Sequence, residues 1–138
     1  MDKKEILEFL NANPVCYLAT VEGNKPHVRA IGMFRADEEG IIIQTNDYKD
    51  MYRQIEANPN TELCFFNARD GVQIRVSGVL EPFDDIKLKE EIIAERTFLK
   101  PFVEKDGYGA IVVYRLSRGQ AYVWGFGTQQ EPKKYVQL

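Results

Sequence analysis

The chain opens with apolar residues at helical spacing. In MDKKEILEFL, Ile6, Phe9 and Leu10 share one face, Asp2 and Glu5 open the segment, and Asn13-Pro14 ends it. The period then shortens to that of a strand. VCYLATV (15–21) is predicted as a first strand, and Glu22-Gly23-Asn24 as the turn after it. PHVRAIGMFR (26–35) and, after ADEEG, IIIQTN (41–46) are predicted as the second and third. Tyr48, Met51, Tyr52 and Ile55 fall at i, i+3, i+4 and i+7, which predicts a short helix over 47–57 with Asp47 as N-cap and Asn58-Pro59 as its stop. TELCFFN (61–67) and VQIRVSGVLEPF (72–83) read as a hairpin around Arg69-Asp70-Gly71, because Asp-Gly is a strong turn dipeptide. Within the second of these, Val72, Ile74 and Val76 point one way and Gln73, Arg75 and Ser77 the other. Residues 84–99 carry a helical pattern, and 109–116 and 120–126 read as a last hairpin around Ser117-Arg118-Gly119.

The pattern amounts to about seven short strands and three helices without regular β-α alternation. It predicts a mainly β fold, a small antiparallel barrel with flanking helices, formed by residues 1–138 as a single domain. Composition narrows the function classes. Hydrophobic residues are 44% and charged residues 28% of 138, an ordinary globular balance, and the net charge of −3 gives no basic field for nucleic acid or an anionic membrane. No apolar run approaches the roughly 18 residues of a membrane span, and the charged N-terminus does not read as a secretory signal. Cys16 and Cys64 both lie in apolar runs, and there is one histidine, so no Cys/His zinc site is expected. Both cysteines are expected as buried thiols in a reducing compartment, which makes the chain cytoplasmic.

Lys49 is the first candidate for chemistry. The predicted helix places it in the first turn, where the backbone dipole presents roughly half a positive charge. Two readings fit. Its neighbours Asp47 and Asp50 neutralise it, or an anion sits at the helix start, where backbone N–H groups and an ammonium converge. Arg29 leaves a similar choice open, between pairing with a carboxylate and serving the same anion if the second and third strands are neighbours. On the second strand His27, Arg29, Ile31 and Met33 share one face, and Val28, Ala30, Gly32 and Phe34 share the other, which reads as core. His27 has no evident catalytic partner and reads as a surface residue. Tyr48, Tyr52, Tyr122, Trp124 and Phe126 read as core aromatics, with Trp124 kept as a candidate for ligand contact. Neither G-x-S-x-G, a P-loop nor G-x-G-x-x-G occurs.

Four stretches in order, YLATVEGNKPHVRAIG, IIIQTNDYK, YRQIEANPNTELCFF and QIRVSGVLE, resemble the pyridoxamine 5'-phosphate oxidase-like flavoproteins, the FMN-binding split barrels. Within them the chain looks most like the small single-domain branch that includes nitroimidazole-resistance-type proteins. The resemblance covers residues 5 to 125 and implies an antiparallel split barrel holding FMN at a homodimer interface. It implies that Arg29 and Lys49 hold the phosphate, that the backbone of His27, Val28, Arg29, Ala30 and Ile31 runs along the isoalloxazine edge, and that Gln44, Thr45 and Asn46 meet the ribityl chain and ring. It places Met51 and Tyr52 at the phosphate end, and brings Gln73 and Trp124 from the other subunit. Two departures matter. Where the oxidases proper carry an Arg-Lys pair this chain has Asp50-Met51, and it ends EPKKYVQL in place of their substrate segment. The resemblance therefore implies an FMN-dependent oxidoreductase of a small organic substrate, with NAD(P)H as a candidate donor, without implying vitamin B6 oxidation. A non-enzymatic flavin or haem binder with a redox-sensing role remains the alternative, whereas a nucleic-acid-binding barrel is disfavoured by the acidic balance.

Overall fold

A computed structural model describes all of residues 1–138. Helix α1 (Lys3–Ala12) begins with a capping box: the Asp2 carboxylate accepts from the Glu5 N–H at 2.8 Å, and the Glu5 carboxylate accepts from the Asp2 N–H at 2.8 Å. Strands β1 (Val15–Glu22) and β2 (Lys25–Gly32) pair from Val15↔Gly32 to Glu22↔Lys25, with Gly23 at φ +59° in the turn. The chain continues through β3 (Arg35–Asp37), β4 (Gly40–Asn46), helix α2 (Asp50–Ala57), β5 (Asn60–Asn67), β6 (Val72–Val79) and β7 (Glu81–Pro82). Helices α3 (Ile86–Glu95) and α4 (Lys100–Asp106) follow, then β8 (Ile111–Leu116), β9 (Gln120–Trp124) and β10 (Tyr135–Gln137).

The strands form two antiparallel sheets, one ordered β10-β9-β6-β5-β1-β2 and the other β3-β4-β8-β7. Neither closes on itself, so the architecture is the expected split barrel. Its interior is filled by one apolar cluster that takes Ile6 and Leu10 from α1, Leu18, Leu63, Phe65, Ile74 and Val76 from the large sheet, Ile41 and Ile43 from the small one, and Met51 and Ile55 from α2. A second cluster, with Ile42 and Val113 facing Leu88, Ile92 and Leu99, seats α3 and the following turn on the outside of the small sheet.

The structure departs from the sequence expectations at four places. The strand predicted over 26–35 breaks at Met33-Phe34, where the chain crosses between sheets: Met33 donates to Pro14 O at 2.8 Å and Phe34 to Ile42 O at 2.9 Å. The segments 109–116 and 120–126 do not form a hairpin. β8 pairs with β4 and β7, whereas β9 pairs with β6 and β10, and Gly119 makes the crossing because a Cβ there would lie 2.6–2.7 Å from the Leu116 and Val76 side chains. The helix predicted over 84–99 stops at Glu95, since Arg96 turns its guanidinium onto the Gly32 and Met33 carbonyls, each at 3.0 Å. The faces of β2 are reversed. Val28 is 69% exposed, and it continues an apolar surface from Val15 (62%) and Tyr17 (50%) on β1, while His27, Arg29 and Ile31 are half-buried. Alternation defines two faces of a strand but not which one meets the core.

Three short strands (β3, β7 and β10) and one further helix complete the inventory beyond the seven strands and three helices expected. Gly40 is where the small sheet tolerates least change. It sits at φ +131°, and a Cβ there would be 2.5 Å from Leu116 O. Gly40→Ala is expected to lower stability by about 1–3 kcal/mol, read as a lower urea midpoint with an unchanged m value.

Candidate functional site

β2 lies at the edge of its sheet, so residues 27–31 are hydrogen-bonded to β1 on one side only. Across the split between the sheets stand the end of β4 and the start of α2. A cavity of about 410 Å³ opens among them, lined by β2 from His27 to Ile31, by Gln44 and Thr45, and by Lys49, Asp50, Met51, Arg53 and Gln54, with Glu22 at one end. β2 and β4 are not sheet neighbours. They meet here because the barrel is split, which replaces the adjacency expected from the sequence.

Arg29 points inward from β2. Its Nη1 donates to Thr20 Oγ1 at 2.8 Å and to Leu18 O at 3.3 Å, and its Nη2 donates to Gln54 Oε1. The Thr20 hydroxyl also donates to Gln54 Oε1 at 2.6 Å, and both partners are at least 97% buried. All three acceptors are neutral, and no carboxylate lies within ion-pair distance of the guanidinium. Burial pulls its pKa below the ordinary arginine value, with the charge of Asp50 opposing that shift. The expected carboxylate partner is therefore absent, and a half-buried positive charge faces the cavity.

Lys49 is the N-cap residue of α2, and no side chain caps the helix. This corrects the expectation that Asp47 is the cap. The Asp47 N–H is tied to Ala110 O at 3.3 Å, and Lys49 N–H donates to Asn46 O at 3.1 Å, so a turn delays the helix to Asp50. A lysine side chain cannot accept from backbone amides, and although the Tyr52 N–H donates to Lys49 O at 3.1 Å, the Asp50 and Met51 N–H groups at the helix start have no side-chain cap. Lys49 also makes no ion pair. Asp50 pairs instead with Arg53, at 3.5 Å, and Arg53 reaches Glu22 as well. The Arg53 hydrogen bond holds the Glu22 carboxyl below the usual range, and the charges of His27 and Lys25 act the same way. His27 Nε2 is 3.7 Å from Glu22 Oε1, too far for a hydrogen bond, and is buried without a partner.

Gln44 and Thr45 add an uncharged part to the lining. Gln44 Oε1 and Thr45 Oγ1 are buried there with no hydrogen-bond partner, and Thr45 is only 2% exposed. A buried orphan hydroxyl costs about 1–3 kcal/mol, so these two atoms favour a polar ligand edge. Charge that attracts an anion, from Arg29 and Lys49, and hydrogen bonding, from Gln44 and Thr45, are what this lining can supply. No cluster of three or more His, Cys, Asp or Glu residues is placed to hold a metal.

Of the residues expected here, His27, Val28, Arg29, Ala30, Ile31, Gln44, Thr45, Lys49 and Met51 meet at the cavity. Four do not line it. Asn46 is buried and donates to Ala110 O at 3.4 Å, and Tyr52 packs on the interior cluster. Gln73 and Trp124 are register partners on β6 and β9, separated from β2 by β5 and β1. Glu22, Asp50, Arg53 and Gln54 were missed, although Asp50 and Arg53 have the i, i+3 spacing that makes side chains neighbours on a helix. Cys16 and Cys64 are free thiols outside the cavity. Cys16 is fully buried, which pushes its pKa up to about 12, whereas Cys64 is only half-buried.

Comparison with known proteins adds to this geometry. The family model described as pyridoxamine 5'-phosphate oxidase matches residues 2–121. A NimC/NimA family protein from Clostridium acetobutylicum superposes with a TM-score of 0.79 at 30% identity, covering 98% of this chain and 92% of that one. A pyridoxamine 5'-phosphate oxidase-related, FMN-binding protein from Nostoc punctiforme has a TM-score of 0.65 at 19% identity, over 96% of this chain and 87% of that one, a likeness of fold. General stress protein 26 of Bacillus subtilis (strain 168) is 30% identical over 95 residues, 65% of this chain and 66% of that protein, so the match spans just under two thirds of the relative.

The Thr20–Gln54–Arg29 arrangement generates a prediction independent of any ligand. Gln54→Leu removes the acceptor shared by the Thr20 hydroxyl and the guanidinium. It should cost about 1–3 kcal/mol for the groups left unpaired, measured by urea denaturation.

Proposed function

The chain belongs to the pyridoxamine 5'-phosphate oxidase family, and on that premise we propose that it binds FMN in the cavity beside β2 and acts as a flavin-dependent oxidoreductase of a small organic substrate. One observation carries the reading. Arg29 and Lys49, two cations without carboxylate partners, line one cavity together with the uncapped first turn of α2. A phosphate ester suits that place by charge and by its capacity to accept the first-turn N–H groups. The orphaned Gln44 and Thr45 oxygens and the one-sided backbone edge of β2 supply hydrogen-bonding groups for a flat heteroaromatic ring and its ribityl chain.

In this reading flavin, when bound, supplies the hydride or electron transfer, and the protein supplies binding and orientation. The residues described need do no acid–base work. His27 has only Glu22 nearby, and its backbone contributes to the ring edge while its imidazole does not take part in proton transfer. NAD(P)H is the electron donor we assign, and the cytoplasm the compartment. No helix is long and apolar enough to cross a membrane.

The site is completed by a second copy of the chain. Val15, Tyr17, Val28 and Phe66 form an exposed apolar face on the large sheet, the reverse side of the strand that lines the cavity. Such a face is stabilised by burial against another surface at about 25 cal/mol per Å². In the homodimer we assign Gln73 and Trp124 to the flavin bound by the partner.

Purified protein should show the two flavin absorption bands and retain them through gel filtration at dimer size after FMN is added. Arg29→Ala and Lys49→Ala should each weaken FMN binding by about 1.5–3 kcal/mol, the range for a lost hydrogen bond to a charged group. Fluorescence titrations identical to wild type would remove the phosphate assignment. His27→Ala should keep NAD(P)H-dependent reductase turnover, and a loss beyond about a hundredfold would instead make it an acid or base.

A further inference from the structure

Gln54 is a polar residue at a core position. Met51, Gln54 and Ile55 form the buried face of α2, and the two apolar members pack into the interior cluster. Gln54 itself is 3% exposed. A buried primary amide has one oxygen and two N–H groups to satisfy. Its oxygen is satisfied twice, accepting from the Thr20 hydroxyl at 2.6 Å and from Arg29 Nη2 at 2.5 Å. These donors also fix which way the amide faces. With its oxygen and nitrogen exchanged, an amide N–H would meet a guanidinium N–H, two donors with no acceptor between them. Thr20 cannot relieve that conflict, because its oxygen already accepts from Arg29 Nη1 at 2.8 Å. The amide nitrogen Nε2 is therefore turned away from Thr20 and donates to no protein group. Gln54 lines the cavity, and the unpaired oxygens of the same lining, Gln44 Oε1 and Thr45 Oγ1, do not accept from it.

Arg29 shows the same surplus. A guanidinium carries five N–H groups, and its bonds to Thr20, Leu18 and Gln54 use three of them. Donors without acceptors are left on two side chains that are hydrogen-bonded to each other. We propose that Gln54 is a ligand-binding residue, whose Nε2 donates to the same phosphate that Arg29 binds. The inference rests on the flavin reading above and adds a residue to it. An oxyanion offers acceptors alone, which is what this pair of side chains lacks. Because Arg29 and Gln54 share a hydrogen bond, an anion on the free guanidinium N–H groups lies beside the amide. The amide adds donors there without adding charge, and its orientation is set before the ligand arrives.

The test follows the side-chain amides of the full chain, 15N-labelled and freed of bound flavin, by NMR during titration with FMN or riboflavin. Riboflavin has the ring and the ribityl chain without the phosphate. The Gln54 Nε2–H resonances are expected to move downfield and to exchange more slowly with solvent when FMN is added, and to stay in place with riboflavin. Gln54→Met, unbranched and of similar length, should raise the FMN Kd about tenfold or more in fluorescence titrations, as for a lost hydrogen bond to a charged group. Its Kd for riboflavin should stay within about threefold of wild type. Gln54 resonances that do not move at saturating FMN overturn the proposal even where Gln54→Met weakens binding, since a residue that only positions Arg29 would give that result. A folded Gln54→Met that binds FMN within about threefold of wild type overturns it as well. The wild-type spectra decide the matter without the variant if Gln54→Met does not fold. FMN bound no tighter than riboflavin removes the phosphate assignment, and neither one bound removes the flavin reading, and the inference falls with either.

Discussion

Arg29, Thr20 and Gln54 join three elements through one buried polar cluster. The guanidinium belongs to β2, the hydroxyl to β1 and the amide to α2, and each is bonded to the other two. Thr20 and Gln54 are almost wholly buried, so the alternatives open to the guanidinium are few. A cation held this way has no carboxylate to neutralise it, and burial raises the cost of keeping its charge. The same bonds hold α2 against β1, which fixes where its uncapped end points. The position of the site follows from that lock. A positive charge and a helix N-terminus are set side by side before any ligand arrives, and such preorganisation is what reduces the cost of binding.

The split between the sheets is the second constraint. A closed barrel would pair β2 with another strand on its free side and leave no cavity there. Here the chain leaves the large sheet at Met33, and Arg96 clamps the crossing through the Gly32 and Met33 carbonyls. The one-sided edge of β2 and the orphaned oxygens of Gln44 and Thr45 are consequences of that opening.

Much of this was legible in the sequence, and the limits have physical causes. Turn chemistry at Gly23 and Gly71 located the hairpins, and helical spacing found α2 to within its first turn. Arg29 and Lys49 stood out because a cation seldom belongs mid-strand or at a helix start. Local pattern could not tell which sheet a strand joins, so β8 and β9 read as a hairpin although one residue, Gly119, carries the chain between sheets. Nor could alternation say that Val28 faces outward, because both faces of β2 carry apolar residues. Gln54 and Arg53 looked like an ordinary polar helix surface. Their roles depend on Thr20 and Glu22, more than thirty residues earlier in the chain.

An edge strand presents unpaired backbone groups to which another chain can add. The first two residues of β2, Lys25 and Pro26, are a charge and a residue with no N–H, and both discourage such addition. The stretch from His27 to Ile31 has no proline, its one arginine points inward, and it is the stretch that lines the cavity. A molecule seated along that edge therefore also shields it from strand addition. Occupancy of the cavity and resistance to aggregation rise together, so a chain produced faster than its ligand is supplied is exposed to self-association through the very segment that would otherwise hold the ligand.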